Sequence, residues 1–432
     1  MPILLALLAL SVLIIVHEFG HFIVAKASGI LVHEFSLFMG PKLFSFKKGE
    51  TTYSIRSIPL GGYVRMEGEE EASENERAFN RKPIWARAAV IAAGPIMNLI
   101  IAVVFFFIVY SVAGYSTNRI SEIGDNSPAA AAKLQVNDKI LSYDGKKVYN
   151  LSDAMMFLYT SKGSEAKIVY ERNGKSGEAI FVPEKIPEST RYILGFTPKS
   201  AEGADSTIVN EVSKDTPAEK AGIKSGDRIV QVNDTKISNR QQLNDYLAAN
   251  KDTPVEVIIE RNGSTRSIGK VIPMEQKISE QYYAGFNFAD DKGNIPETIK
   301  QAFIACYSNT RQMYYSIEGL VNRSISSKNL MGPVGIVSSI GTVVEQSQGN
   351  KEALLNLFTF AAIISINLGI MNLIPFPALD GSKLVLLLVE SIRKKPIPPE
   401  KEAAISLVGF VILIMVMIFA TSNDIMRIFN KL

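Results

Sequence analysis

Charged residues are missing from four long stretches of this chain: Met1 to Val16, Ala88 to Asn118, Ala353 to Leu379 and Ala403 to Asn423. A membrane-spanning helix needs about 20 mainly apolar residues. The last three stretches qualify alone, and the first qualifies if it runs on through His17-Glu18 to Ala27. A cleavable signal peptide is the alternative there, with Ala25-Lys26-Ala27 as a loose cleavage site. No Lys or Arg precedes the apolar run, however, and such a run would not normally continue into His-Glu-Phe-Gly-His. The pattern predicts four spanning helices, over 1–27, 87–117, 353–380 and 403–423.

Other periods fill the connections. From Leu31 to Met66 apolar and polar residues partly alternate, with Gly40-Pro41 and Lys48-Gly49 between the runs, which predicts short strands and turns in a 28–86 β region. Between the second and third spans the sequence repeats itself at a constant offset of 89 residues. Ser127-Pro128-Ala129 returns as Thr216-Pro217-Ala218, and Glu171-Arg172-Asn173-Gly174 as Glu260-Arg261-Asn262-Gly263. One register held over so many positions indicates duplicated α+β domains, placed at 118–200 and 201–290. Thr216 to Gly222 followed by Gly226-Asp227-Arg228-Ile229 resembles PDZ domains, with Leu194-Gly195-Phe196 as a carboxylate-binding loop for the second copy. That resemblance implies capture of extended peptides; a rigid size filter that binds nothing is the alternative. Within 291–352, Phe303, Ile304, Tyr307, Met313 and Tyr314 have helical spacing. They predict an amphipathic helix, on the outer membrane surface or against the repeats.

Composition adds exclusions. Among 432 residues, 46 Lys and Arg face 43 Asp and Glu, so bulk charge gives no reason to expect a nucleic-acid partner. One cysteine excludes an internal disulfide framework. Charge placement sets orientation: Lys42, Lys47, Lys48, Arg56, Arg65, Arg77, Arg81 and Lys82 follow the first span, and Lys383, Arg393, Lys394, Lys395 and Lys401 follow the third. By the positive-inside rule both connections are cytoplasmic, and both termini and the repeats lie outside. The 381–402 segment is read as a cytoplasmic loop.

Only three histidines occur, and two stand in His17-Glu18-Phe19-Gly20-His21. Residues four apart share a helix face, so both imidazoles can reach one zinc ion with Glu18 beside it as general base. Polar groups at membrane depth are costly unless used. His33 is read as an ordinary loop or strand residue. A third ligand is required. Glu34 and Glu50 are nearest but lie in a strand-like loop. Asp380 ends the third charge-free stretch, after Pro375 and Pro377 break the helix; a surface aspartate at a helix end is the bland reading.

H-E-F-G-H in the first span, together with Asn372-Leu373-Ile374-Pro375-Phe376-Pro377-Ala378-Leu379-Asp380-Gly381, resembles the site-2 protease family of intramembrane zinc metalloproteases. Pro59 to Val64, Gly94-Pro95-Ile96-Met97-Asn98 and Gly332 to Ile336 extend the resemblance over the whole chain. Asp380-Gly381-Ser382-Lys383 departs from the usual Asp-Gly-Gly-His. The resemblance implies Zn2+ held by His17, His21 and Asp380, with Glu18 activating water. It further implies substrate contacts from Asn372, Asn367, Pro375, Pro377, Gly61 and Gly62, and a membrane-dipping sheet whose edge pairs with an unwound substrate. The expected enzyme sits in a bacterial cytoplasmic membrane. It cuts pre-trimmed single-span membrane proteins, such as anti-sigma factors and signal-peptide remnants, within the bilayer. The alternative is a non-hydrolytic membrane scaffold that binds peptides through its PDZ pair.

Overall fold

The computed structural model describes residues 2–69, 71–198, 207–213, 216–278, 280–322, 331–345, 347 and 349–429. Its longer helices are α1 (Pro2–Ala27), α2 (Ile84–Ala113), α3 (Leu151–Thr160), α4 (Arg240–Asn250), α5 (Ile295–Val321), α6 (Pro333–Glu345), α7 (Asn350–Leu373), α8 (Asp380–Arg393) and α9 (Pro399–Phe429). Four are long and apolar enough to cross a membrane: α1 from Leu8, α2, α7, and α9 from Glu400 to Met426.

Several expected boundaries move, two of them with consequences for the fold. α2 ends at Ala113, where Gly114 (φ 87°) turns the chain into the strand Tyr115–Ile123. The third span stops at Leu373 rather than 380. Pro375 and Pro377 lack the N–H groups that would continue the ladder, and Asp380 then opens a new helix instead of closing the old one. The 381–402 segment is therefore mostly helical, and Lys383, Glu390 and Arg393 lie on α8.

The first span packs on the second through glycine. A Cβ on Gly20 would lie 2.4 Å from the Ala93 carbonyl oxygen, and one on Gly369 of α7 2.9 Å from that of Pro95. Small residues let the α1, α2 and α7 backbones approach this closely, the usual way apolar helices associate without a hydrophobic driving force.

Strands Val32–Lys48 and Thr51–Met66 each fold back, giving four runs: 32–39 pairs antiparallel with 58–66 and in parallel register with 52–55, and 42–48 pairs antiparallel with 51–56. Phe35 packs on Phe19 and Phe22 of α1. Beneath, Glu34 accepts from Ser54 and Arg56. Burial alone would raise this carboxyl, but bonds from Ser54, Arg56 and Tyr63 hold it at about 2. The predicted strands thus form one curled sheet with a wired polar side.

The two repeats reproduce each other bond for bond. Arg172 forks onto Asp138 and reaches the Lys133 carbonyl, as Arg261 does onto Asp227 and the Gly222 carbonyl. Ser127 and Thr216 cap matching short helices, and Asn150 and Asn239 cap α3 and α4.

Their arrangement is not end to end. Phe286–Asp291 pairs with Tyr115–Ile123, so the strand after the second repeat completes the sheet of the first. Tyr282 and Phe288 join Ile120, Ile140, Phe157 and Phe181 in one core, while Leu194, Val209, Ile229 and Val257 belong to a separate one. Two short strand pairs, Ser189–Ile193 with Met274–Ile278 and Glu184–Ile186 with Gln281–Tyr283, form the neck between them. The 118–200 and 201–290 division therefore cuts the first repeat from its last strand; the cut itself falls at 199–206, outside the described residues. A fragment 115–291 is expected to unfold cooperatively. A fragment 118–200 should show little ordered structure by circular dichroism and amide-proton dispersion. A stably folded 118–200 would contradict the nested strand.

Among its described residues the 291–352 region holds α5 and α6 where one helix was expected. α5 packs on two of the long apolar helices, neighbours not expected, as well as on the first repeat: Ala302, Ala305 and Cys306 pack on Ala102 and Phe106 of α2 and Ala362 and Ile366 of α7. One turn on, Ser308 donates to the buried Asp153, and Arg311 donates to the Lys147 carbonyl in the first repeat. α6 begins at Pro333, where the backbone N–H groups of Gly332 and Gly335 donate to the buried Asp424 of α9.

Candidate metal centre

His17 and His21 lie on one face of α1, and α8 brings Asp380 to them across more than 350 residues of sequence. The two Nε2 atoms are 3.2 Å apart, and Asp380 Oδ2 lies 3.2 Å from His17 Nε2 and 3.5 Å from His21 Nε2. The side chains expose only 9%, 12% and 18% of their surface. Yet Asp380 Oδ2 is buried without a well-formed hydrogen bond. The His21 Nδ1–H donates to the Val90 carbonyl at 2.7 Å, which leaves its Nε2 as a bare lone pair facing the others. Lone pairs crowded in a dry site repel unless a cation sits among them. Donors held at about 2.0–2.1 Å by a tetrahedral zinc lie about 3.3 Å apart. The observed spacing and donor types fit that ion.

α2 walls the site. A Cβ on Gly94 would fall 2.3 Å from His21 Nε2 and 2.9 Å from His17 Cε1, so only glycine leaves room there. One turn further, the buried amide of Asn98 contacts His17 Nδ1 at 3.2 Å, and Ser365 of α7 donates to the Asn98 backbone carbonyl. α8 is pinned as well: Lys383 bonds Glu69 at 3.2 Å, and Arg87 of α2 forks onto Glu390. Lys383, the departure from the family pattern, thus ties the aspartate-bearing helix to the loop after the sheet. A cavity of about 450 Å³ opens beside these pairs.

The remaining predicted residues fall around this centre. Glu18 is half-buried, within electrostatic reach of His17, His21 and Asp380. Asn372 occupies the last turn of α7, half-buried, whereas Asn367 is exposed. Pro375 is exposed, and the Pro377 carbonyl packs where a Cβ on Gly409 of α9 would be, 2.2 Å away. Gly61 and Gly62 are buried against Ile14 and Ile15 of α1, and Ser11 donates to the Pro59 carbonyl. They lie on the 58–66 run, whose other edge pairs with no strand among the described residues. His33 bonds Glu67, an ordinary contact between partly exposed side chains. Gly94 and Asn98 belong to the family resemblance but carry no predicted role; their spacing of four on one apolar helix is the signal that was available.

Two imidazoles and one carboxylate, walled by apolar helices with a glutamate adjacent, form a donor set that could hold a metal ion. Residues 5–416 match peptidase family M50, and the chain belongs to that family, the site-2 proteases, as a zinc metalloprotease. It is 31% identical over 445 residues to the zinc metalloprotease RasP of Oceanobacillus iheyensis, covering 98% of both chains. It is 30% identical over 449 residues to the regulator of sigma E protease of Haemophilus influenzae, again over 98% of each. Among solved structures, the HtrA3 PDZ domain bound to a phage-derived ligand matches 21% of this chain and 92% of its own, at 18% identity and a TM-score of 0.17.

Proposed function

We propose that this protein hydrolyses peptide bonds inside the membrane, with His17, His21 and Asp380 holding zinc and Glu18 as the base. The observation that carries the reading is the unpaired Asp380 Oδ2 facing two Nε2 atoms among apolar helices. A zinc ion there supplies a Lewis acid for the scissile carbonyl and acidifies the attacking water. The chain's own groups do the rest. Val90 and Asn98 hold the imidazole rings, Glu18 takes the proton of the attacking water and hands it to the leaving amine, and Asn372 donates toward the developing oxyanion.

A helical peptide bond is shielded by its own hydrogen bonds and must unwind before attack. The open edge of 58–66, resting on α1 one turn before His17, supplies a strand partner for the unwound segment. Single-span membrane proteins already shortened outside, such as anti-sigma factors and signal-peptide remnants, fit this geometry. Loop charge supports four crossings of a bacterial cytoplasmic membrane, with both termini and the repeats outside.

The repeats act as a PDZ pair controlling access. In the first, the groove between α3 and Phe286–Asp291, lined by Leu151, Met155, Leu158, Ala284 and Phe286, leaves about 20 Å³. That is room for about one water, which favours a filter over peptide capture there. A scaffold without hydrolysis has no use for the buried metal centre.

The test is cleavage of a tagged single-span substrate in detergent, with and without a zinc chelator, beside a metal assay on Asp380→Asn. Wild type is expected to carry one zinc per chain and to stop cleaving once it is chelated; Asp380→Asn should lose most of its zinc. Chelator-resistant cleavage overturns the proposal, and undiminished zinc in Asp380→Asn overturns the ligand set.

A further inference from the structure

We infer that Asn98 is a positioning residue for the metal: its side-chain amide fixes the ring and proton of His17 so that Nε2 faces Asp380 and His21. The inference rests on the ligand set proposed above. A neutral imidazole that ligates through Nε2 carries its proton on Nδ1, and that N–H needs an acceptor. His21 has one in the Val90 carbonyl. The group facing His17 Nδ1 is the amide of Asn98, fully buried, at 3.2 Å.

The amide oxygen and nitrogen are nearly isosteric, and which one faces the ring is set by what the ring offers. With the nitrogen toward Nδ1, the ring must carry its proton on Nε2, where it blocks the metal. That is the orientation in the structure, where Asn98 Oδ1 is buried without a partner, a place the amide nitrogen would take on a flip. With the oxygen toward Nδ1, the amide accepts the Nδ1–H and Nε2 is free to ligate. Metal binding and amide orientation therefore select each other. Asn98 is well placed for this because α2 is fixed on both sides, by the Gly94 contact with the imidazoles and by Ser365 on its own carbonyl.

The experiment measures zinc affinity of the full-length protein in detergent by competition with a chromophoric chelator, and the visible spectrum of the cobalt-substituted protein. Wild type, Asn98→Leu, Asn98→Asp and Asn98→Ser are compared, with melting of the metal-free proteins as the folding control. Loss of an outer partner to a ligating histidine weakens metal binding about 10–100-fold, expected for Leu and Ser. Asp restores an acceptor and should bind zinc at least as tightly as wild type, although a buried carboxylate is worse than leucine for metal-free stability. A role in packing alone predicts Leu above Asp in zinc affinity as well as in metal-free stability, so the zinc order separates the two. Zinc affinity of Asn98→Leu within twofold of wild type overturns the inference, as does Asp binding more weakly than Leu. If Leu does not fold, Ser carries the same test with the same threshold. Failure of wild type to bind zinc, or of Asp380→Asn to lose it, strikes the ligand set instead.

Discussion

Replacing Glu18 by Gln is expected to slow cleavage by about 10²–10⁴-fold, the usual contribution of a positioned general base, while zinc stays at one per chain. The two measurements separate because of where Glu18 stands. It follows His17 directly, so its side chain leaves α1 about 100° around the helix from the ligand face. The His17–His21–Asp380 triangle is already complete without it. Gln keeps the size and hydrogen-bonding shape of Glu but cannot take a proton from water. In an apolar surround no bulk water stands in as a base, so little activity should survive. Loss of zinc in Glu18→Gln would make Glu18 a ligand. Full cleavage with zinc retained would leave the reaction without the base assigned to it.

What could be read from the sequence follows from how far apart the interacting residues lie. Spans are local statements, since twenty residues without charge say the same thing wherever they sit, and all four emerge as helices. His17 and His21 are likewise one turn of one helix. Asp380 needed more, because nothing local distinguishes a ligand from a surface acid; the prolines before it and the family resemblance supplied the difference. Its helix was misplaced because a charge-free run does not show where one helix ends and the next begins.

The nested strand lay further out of reach. Phe286–Asp291 joins residues some 170 positions earlier, and strand pairing at that distance leaves no periodicity behind. One trace existed. Ala284-Gly285-Phe286 stands to the first repeat as Leu194-Gly195-Phe196 stands to the second: the Ala284 and Leu194 carbonyls accept from Ala129 and Ala218. Gly285 and Gly195, both at positive φ, press on Ser127 and Thr216. The 89-residue offset runs forward from the first copy and does not reach a first-copy segment lying after the second. Gly94 and Asn98 were hidden for a similar reason. Their importance is the distance between α1 and α2, which neither helix encodes alone.

That distance makes Gly94→Ala the most damaging small substitution expected near the site. An added methyl would sit 2.3 Å from His21 Nε2 and 2.6 Å from His21 Cε1, inside the space a metal ligand must keep. Three responses are open. Retreat of α2 as a whole is resisted by the Gly20 contact with Ala93 and the Gly369 contact with Pro95, and it would draw Val90 and Asn98 away from both imidazoles. Swinging His21 aside breaks its bond to Val90 and opens the triangle. The methyl can also simply occupy the metal's place. Overpacking of this kind costs about 1–3 kcal/mol, which a protein this size survives, so the variant should purify folded with its four long helices intact by circular dichroism. All three responses nonetheless spoil the tetrahedral donor set. Zinc is expected to fall from one per chain to a small fraction, and cleavage to drop by at least about 10³-fold, more than for Glu18→Gln where the metal remains. Gly61→Ala, whose methyl would lie nearest the Ile14 and Met39 side chains, strains the sheet at a positive-φ position but should keep its zinc, and serves as the control for a methyl added beside α1. A Gly94→Ala protein with full zinc and normal cleavage would mean that α1 and α2 are not held as close as the site requires.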